Sequence, residues 1–232
     1  MPGRLHNKIA VITGSSSGIG RATALAFASE GASLICSDLH ETARQEYATD
    51  TSPLTTVQAA QNLGVKALFV KCDTSSSTEV QALIQAAVKE YGRIDIMVNN
   101  AGIAMEAGEH GNRPVWEYEE AAFEKTMDVN IKAGYVTSKH AVLGLTKAAA
   151  QDCAPYRVHV NALCPGYTAT SFISRLFTPE AVEQKKAVEE RHPFGGLGTP
   201  QDIARAAVFL ASEDAAWVTG IGLPVDGGFS SM

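Results

Sequence analysis

The stretch "VITGSSSGIG" (residues 11–20) determines how the rest of this sequence is interpreted. It follows a short apolar run, and it places Gly14, Gly18 and Gly20 where a helical pattern begins. Glycines at such a turn let the backbone approach a pyrophosphate, whose charge is favoured at the N-terminus of a helix. The spacing is G-x-x-x-G-x-G, which differs from both the G-x-G-x-x-G form and the P-loop. Two interpretations follow, a dinucleotide-binding loop or an ordinary tight turn between strand and helix.

Composition limits the class of protein. The chain has 232 residues, of which 45% are hydrophobic and 19% charged, so it can bury a core, and we predict one domain over residues 1–232. Its net charge of −6 disfavours a nucleic-acid surface. No apolar run approaches the ~18 residues of a membrane span, and the N-terminus lacks a secretory signal. We therefore predict a soluble cytoplasmic protein that binds neither nucleic acid nor membrane.

The four cysteines are widely spaced, and no two of them form a C-x-x-C pair. Buried reduced thiols are the favoured interpretation over a disulfide framework or a metal site. We predict no metal ligands.

Strand-like and helix-like patterns alternate along the chain. The helical patterns include Gly20–Ser29, the segment after Ser76 with a capping box to Glu79, and the segment that opens at Thr199 and Pro200. The strand-like runs are apolar on consecutive residues, as in a parallel sheet covered on both faces. We predict a doubly wound, Rossmann-like α/β fold. The six runs are "KIAVIT" (8–13), "SLICSD" (33–38), "ALFVKCD" (67–73), "IDIMVNN" (94–100), "RVHVNALCP" (157–165) and "GIGLPVD" (220–226).

Polar residues follow several of these runs, at the strand ends where open α/β sheets bind ligands. Asp38 closes the second run 24 residues after Gly14, near the ~20 expected for an acid that binds the adenosine ribose. A carboxylate there repels a 2′-phosphate, so we predict NAD over NADP. Asp73 either contacts the adenine or simply caps the turn before Ser76. In "NNAG" (99–102), an Asn side chain can tie neighbouring strands together, and the small residues leave room for a flat ring.

Six short segments follow one another in strand and helix context: "TGSSSGIG" (13–20), "NNAG" (99–102), "VN" (129–130), "YVTSK" (135–139), "CPGYTAT" (164–170) and "VDGG" (225–228). On these segments, the sequence resembles the short-chain dehydrogenases/reductases along nearly its whole length.

The resemblance implies interconversion of a secondary alcohol and a carbonyl with NAD(P), on a small-molecule substrate. Tyr135 would be the acid/base, Lys139 would lower the tyrosine pKa and hold the nicotinamide ribose, and Asn130 would anchor a proton-relay water. Tyr135 and Lys139 are four residues apart and share a helical face. Including these two, the predicted cofactor contacts are Gly14, Ser16, Gly18, Ile19, Gly20, Asp38, Asp73, Asn100, Ala101, Gly102, Tyr135, Lys139, Pro165, Gly166, Thr168 and Thr170.

The stretch before Tyr135 departs from the family pattern. The family places a Ser, which holds the substrate carbonyl, just over a dozen residues before the Tyr, at the end of a fifth strand. Here residues 118–152 read as helix, interrupted only around Gly134 and Gly144, and Asn130 stands five residues before Tyr135. We predict that a segment with the fifth strand and the Ser is missing between Lys132 and Gly134. A lost exon, an omitted segment and a natural shortened relative all remain open.

Three further expectations concern the second half of the chain. Residues 167–198 correspond to the family's substrate lid, in which Phe172, Ile173, Leu176 and Phe177 form either an apolar cover or a helix packed on the core. His192 could serve as an acid, but a loop His is usually solvated, and we expect that here. The helices around the gap pack against a partner subunit in the family, which implies a homo-oligomer, a dimer or tetramer. A catalytically inactive nucleotide-binding or interaction protein is the alternative function.

Overall fold

The computed structural model describes residues 2–42, 53–102, 135–170, 173 and 182–231, and only the backbone of 135–140. Asn130, Phe172, Leu176 and Phe177 therefore lie outside the described residues. The chain divides into two compact units: 1–101 with 200–214, and 102–199 with 215–232. Each unit is described on its own.

A four-stranded parallel sheet forms the centre of the first unit. Its strands are β1 (Ile9–Thr13), β2 (Ser33–Asp38), β3 (Ala67–Lys71) and β4 (Ile96–Val98), in the order β3-β2-β1-β4. In register, Thr13 lies opposite Ser37, and Ile12 lies opposite Val98. Because parallel strands end at one edge, the segments after all four strands meet there. The sheet confirms the predicted α/β class.

Helices cover both faces of this sheet. They are α1 (Gly18–Ser29), α2 (Thr56–Asn62), α3 (Ser77–Tyr91) and α6 (Pro200–Ala211). All five β1 residues are buried. Ile9 and Val11 pack with Leu83 of α3, so Ala10 and Ile12 point to the opposite face, since side chains alternate along a strand. Two covered faces explain why the strand is apolar on consecutive residues.

Side-chain caps determine where two of these helices begin. Ser76 caps α3 by accepting from Glu79 N–H at 3.3 Å, but the Glu79 carboxylate accepts from Asp73 N–H at 2.9 Å. The predicted reciprocal capping box is therefore wrong in its second half, because Ser76 N–H already donates to the Asp73 carbonyl. A complete capping box occurs instead at the start of α2, between Thr55 and Gln58.

The second unit contains a two-stranded parallel sheet of β5 (Ala162–Pro165) and β6 (Gly222–Val225). Helix α4 (Tyr135–Cys153) packs on it, since a methyl group at Gly222 would lie 2.5 Å from Leu143 Cδ2. Helix α5 (Val182–Glu190) carries the ion pairs Lys185–Glu189 and Lys186–Glu190. Helix α4 runs unbroken through Gly144, so the interruption predicted there is wrong. A single glycine destabilises a helix by only about 1 kcal/mol, so the turns on either side of Gly144 are enough to keep the helix continuous.

The six strands in the described part of the chain form two separate sheets, of four and two strands. Within that part, β4 pairs only with β1, and β5 pairs only with β6. All three β4 residues are half-buried, although the consecutive apolar sequence Ile-Met-Val is typical of a central strand. No helix among these residues is long and apolar enough to cross a bilayer.

Candidate active site

The glycine-rich loop connects β1 to α1 at the edge of the first sheet where the strands end. Gly14 and Gly18 have positive φ angles of 65° and 53°, which side chains rarely adopt. Gly20 packs against the loop itself, because a methyl group there would overlap the Gly14 carbonyl and lie 2.5 Å from Asn100 Nδ2. The first N–H groups of α1 have no partner within the helix, as at every helix start. Backbone geometry and small residues thus form a cradle suited to a pyrophosphate.

Asp38 lies beside this loop at the end of β2. Its Oδ2 accepts from Ser16 N–H at 3.0 Å, and its Oδ1 accepts from Leu39 N–H at 2.8 Å. The Ser16 hydroxyl in turn donates to the His40 carbonyl at 2.5 Å. The backbone therefore orients both carboxylate oxygens while the side chain stays half-exposed. Each oxygen keeps a second lone pair for a further hydrogen bond.

The junction between β1 and β4 is closed by Asn100 and Thr13. Asn100 Nδ2 donates to the carbonyls of Thr13 at 3.0 Å and Gly14 at 3.3 Å. The buried Thr13 hydroxyl donates to the Val98 carbonyl and accepts from the N–H groups of Asn100 and Ala101, both at 3.1 Å. An Asn in "NNAG" therefore ties the strands together as predicted, and the Thr13 hydroxyl is a partner that the sequence analysis missed.

Asp73, after β3, forms a turn with its own neighbours. Its Oδ1 accepts from the Ser75 N–H and the Ser75 hydroxyl, at 2.9 and 2.7 Å. Asp73 therefore caps the turn before Ser76, whereas its contact with the adenine stays a prediction.

In the second unit, the segment at the end of β5 and after it carries four of the predicted cofactor contacts, Pro165, Gly166, Thr168 and Thr170. Gly166 N–H donates to the Val225 carbonyl, and a methyl group at Gly166 would lie 2.8 Å from Asp226 Cα. The buried Thr168 hydroxyl donates to the Gly166 carbonyl at 3.0 Å, and Thr168 pairs with Gly198. The loop is therefore held from both sides by backbone contacts.

Asp226 closes the C-terminal turn next to this loop. Its carboxylate accepts from Ser230 Oγ at 2.6 Å and from the N–H groups of Ser230 and Gly228. The Ser230 hydroxyl bond, with these N–H groups, lowers the pKa of Asp226.

His192 is buried, so the expectation of a solvated loop residue is wrong. It is 4% exposed, its ring lies 4.9 Å from the Phe229 ring, and Tyr167 packs against its edge. Nδ1 lies 2.8 Å from the Val188 carbonyl and must therefore carry the proton. Aromatic packing against Tyr167 and Phe229 removes the His192 ring from water. No local sequence pattern indicates this contact.

Tyr135 and Lys139 both lie in α4, at its first and fifth residues. Their backbone alone is described, and Asn130 lies outside the described residues. Ile173 is buried, and the two interpretations of its segment, an apolar cover and a helix packed on the core, stay predictions. Among the described residues, no group of three His, Cys, Asp or Glu side chains is arranged as metal ligands.

Comparison with known proteins places the chain in a family. A family model described as short chain dehydrogenase matches residues 8–134, and one described as enoyl-(acyl carrier protein) reductase matches 132–230. A cyclohexanol dehydrogenase from Acinetobacter sp. (strain SE19) is 32% identical over 267 aligned positions, which cover 100% of this chain and 98% of that protein. At least 35 of those positions have no residue in this chain of 232.

Two solved structures share the fold over nearly the whole chain. A protein from Beutenbergia cavernae, described as NAD(P) dependent and holding NADP at low occupancy, is 28% identical, with a TM-score of 0.85 and 100% of both chains covered. A 3-ketoacyl-(acyl-carrier-protein) reductase from Brucella melitensis, complexed with NADH, is 29% identical, with a TM-score of 0.81 over 97% of this chain and 99% of that one. With its glycine-rich loop, its parallel sheet and these relatives, the chain belongs to the short-chain dehydrogenase/reductase family of oxidoreductases.

Proposed function

We propose that this chain binds NAD(H) in preference to NADP(H), at the strand-end edge of its first unit. The observation that carries the proposal is Asp38, whose half-exposed carboxylate is oriented by Ser16 N–H and Leu39 N–H beside the glycine-rich loop. An oriented carboxylate accepts hydrogen bonds from the ribose hydroxyls and faces a 2′-phosphate with like charge, which costs several kcal/mol. Relatives solved with NADH and with NADP support a nicotinamide cofactor in general.

The reaction we propose for this lineage is the interconversion of a secondary alcohol and a carbonyl. Bound NAD(H) supplies or accepts the hydride. Tyr135 would hold the proton at its phenol oxygen, and the Lys139 ammonium, one helical turn away, would favour the phenolate and lower its pKa. The cyclohexanol dehydrogenase relative acts, by its name, on a secondary alcohol, which supports this substrate class.

We further propose that turnover by the chain of 232 residues is impaired, because the segment that holds the substrate carbonyl is missing next to Lys132. Three observations support this. The two family models meet at residues 132–134, the aligned relative has at least 35 more positions, and the described strands form two sheets with β4 half-buried. Loss of one positioned hydrogen-bond donor to a reacting oxygen costs about 10²–10³-fold in rate. The glycine-rich loop, Asp38 and "NNAG" lie before Lys132, so we expect weak cofactor binding to survive.

The cofactor preference is tested by titrating the purified chain with NADH and NADPH and following nicotinamide fluorescence. We expect NADH to bind at least ~10-fold more tightly, since each factor of ten needs only about 1.4 kcal/mol. Asp38→Ala should bring the two dissociation constants together. Asp152→Ala, which removes an exposed acid from α4, should leave their ratio unchanged. Tighter NADPH binding by the unmutated chain would contradict the proposal.

Turnover is tested by comparing the chain with a version that carries a family-like fifth strand and Ser segment after Lys132. Carbonyl reduction with NADH should be at least ~100-fold faster in the restored chain. Tyr135→Phe should abolish the restored activity. Equal turnover by both chains would mean that the missing segment is dispensable and that the proposal is wrong.

A further inference from the structure

The peptide group between Ser15 and Ser16, in the glycine-rich loop, is held from both of its sides. Its carbonyl oxygen accepts from the Thr56 hydroxyl at 2.8 Å, and its N–H donates to Asp38 Oδ2 at 3.0 Å. Thr56 is the first residue of α2 and stands 41 positions away from Ser15. This peptide therefore supplies one of the two hydrogen bonds that orient the Asp38 carboxylate, and the Thr56 hydroxyl holds its other side.

Arg21 fixes the direction of the Thr56 hydroxyl. Its Nη1 donates to Thr56 Oγ1 at 2.9 Å, and its Nη2 donates to the Leu54 carbonyl at 3.1 Å. A guanidinium can only donate, so the single Thr56 proton is left for the Ser15 carbonyl. Arg21 is 5% exposed and Thr56 is 2% exposed, so bulk water does not compete for these bonds. A directed chain of donors thus runs from Arg21 through Thr56 to the loop.

We propose that Thr56 and Arg21 are positioning residues for the adenosine-ribose end of the cofactor site, an inference that rests on the proposed NAD(H) binding. Without the Thr56 hydroxyl, the Ser15 carbonyl is buried without its donor, which favours rotation of the peptide toward other partners. Rotation withdraws the Ser16 N–H from Asp38, so the carboxylate keeps only the Leu39 N–H bond and is less well oriented for a ribose. The effect on binding is exerted through Asp38, since neither Thr56 nor Arg21 needs to touch the cofactor.

The first experiment compares Thr56→Val with Thr56→Ser in the full chain. Valine keeps the volume and loses the hydroxyl, whereas serine keeps the hydroxyl. We expect Thr56→Val to raise the dissociation constants for NADH and for ADP-ribose about 10-fold each, the effect of one lost neutral hydrogen bond. The dissociation constants of Thr56→Ser should stay within about 3-fold of those of the unmutated chain. ADP-ribose lacks the nicotinamide, so an equal effect on both ligands assigns the loss to the adenosine half.

Thr146→Val is the matched control. Thr146 is also buried, and its hydroxyl donates to the Val142 carbonyl within α4 at 2.7 Å. The control should leave both dissociation constants unchanged. A Thr56→Val protein that folds and binds both ligands normally would overturn the inference, as would a Thr56→Ser protein as weak as Thr56→Val.

Amide hydrogen exchange without cofactor tests separately whether Thr56 holds the peptide group between Ser15 and Ser16. Exchange at Ser16 N–H should be faster in Thr56→Val than in Thr56→Ser and in the unmutated chain, and unchanged exchange would overturn the inference. If the unmutated chain bound neither NADH nor ADP-ribose, the proposed function and the positioning role would both fail, even with Ser16 protected. If it bound both ligands regardless of residue 56, the positioning role alone would fail.

Discussion

Replacing Gly20 by alanine should damage cofactor binding through a collision inside the glycine-rich loop. The new methyl group would overlap the Gly14 carbonyl oxygen and would lie 2.8 Å from the Gly14 carbonyl carbon. Carbon atoms in favourable contact are about 3.5 Å apart, so the carbon contact alone requires the loop to retreat by roughly 0.7 Å, and the overlap with the oxygen requires more. Hydrogen bonds to a charged group contribute about 1.5–3 kcal/mol, and losing one to the pyrophosphate would weaken NADH about 10- to 100-fold.

The assay is NADH titration followed by nicotinamide fluorescence, with a thermal melt of each variant. Gly144→Ala is the matched control, because Gly144 lies inside α4 and a methyl group there meets no described atom within 4 Å. That control should bind NADH normally and should stabilise the protein by up to about 1 kcal/mol, the helix propensity difference between glycine and alanine. A Gly20→Ala protein that binds NADH as tightly as the unmutated chain would refute the collision argument.

Three further predictions concern stability, reactivity and association. The pKa of Asp226 is lowered, chiefly by the Ser230 hydroxyl bond, so its stabilising effect is present above the unfolded value of 3.8 and is lost as pH falls through the folded value. The melting temperature, measured from about pH 6 down to about pH 2.5, should therefore fall less steeply with acid in Asp226→Asn than in the unmutated chain. Burial raises the pKa of Cys36 to about 12, so alkylation at pH ~8, followed by mass spectrometry, should modify the half-buried Cys153 and Cys164 first. Reaction of Cys36 at the same rate would contradict this. Leu145 is 54% exposed on α4, one of the helices that the family resemblance places against a partner subunit, so we expect self-association, and light scattering from a clean monomer at micromolar concentration would count against it.

Local patterns predict the first unit well where its strands are covered on both faces, as β1 and β2 are. The run predicted at residues 33–38 is β2 to the residue, and the run at 8–13 is β1 with one extra residue. The strand-end rule also places Asp38 next to the glycine-rich loop, where it bonds Ser16. These features depend on short-range periodicity and on one general property of parallel sheets.

Contacts between distant residues explain what the patterns miss. The fifth run was predicted from residue 157, but β5 begins at Ala162, because Arg157 has a φ of 54° and ends a short 3-10 turn. Val160 N–H donates to the Thr219 hydroxyl rather than to a strand ladder. The link from Thr56 to Ser15 spans 41 residues and has no periodic signal, although the Thr55–Gln58 capping box that starts α2 can be read from the sequence.

The division of the strands into sheets of four and two has a consequence for hydrogen exchange. Strand β1 is fully buried between two ladders, whereas β5 and β6 each have one ladder within the described residues and are mostly half-buried. Amides at the centre of a multi-stranded sheet exchange only through global unfolding, while those of a small, partly exposed sheet also exchange through local opening. The protons of β1 and β2 should therefore outlast those of β5 and β6, and the loop at Gly166 should open and close with the less protected pair.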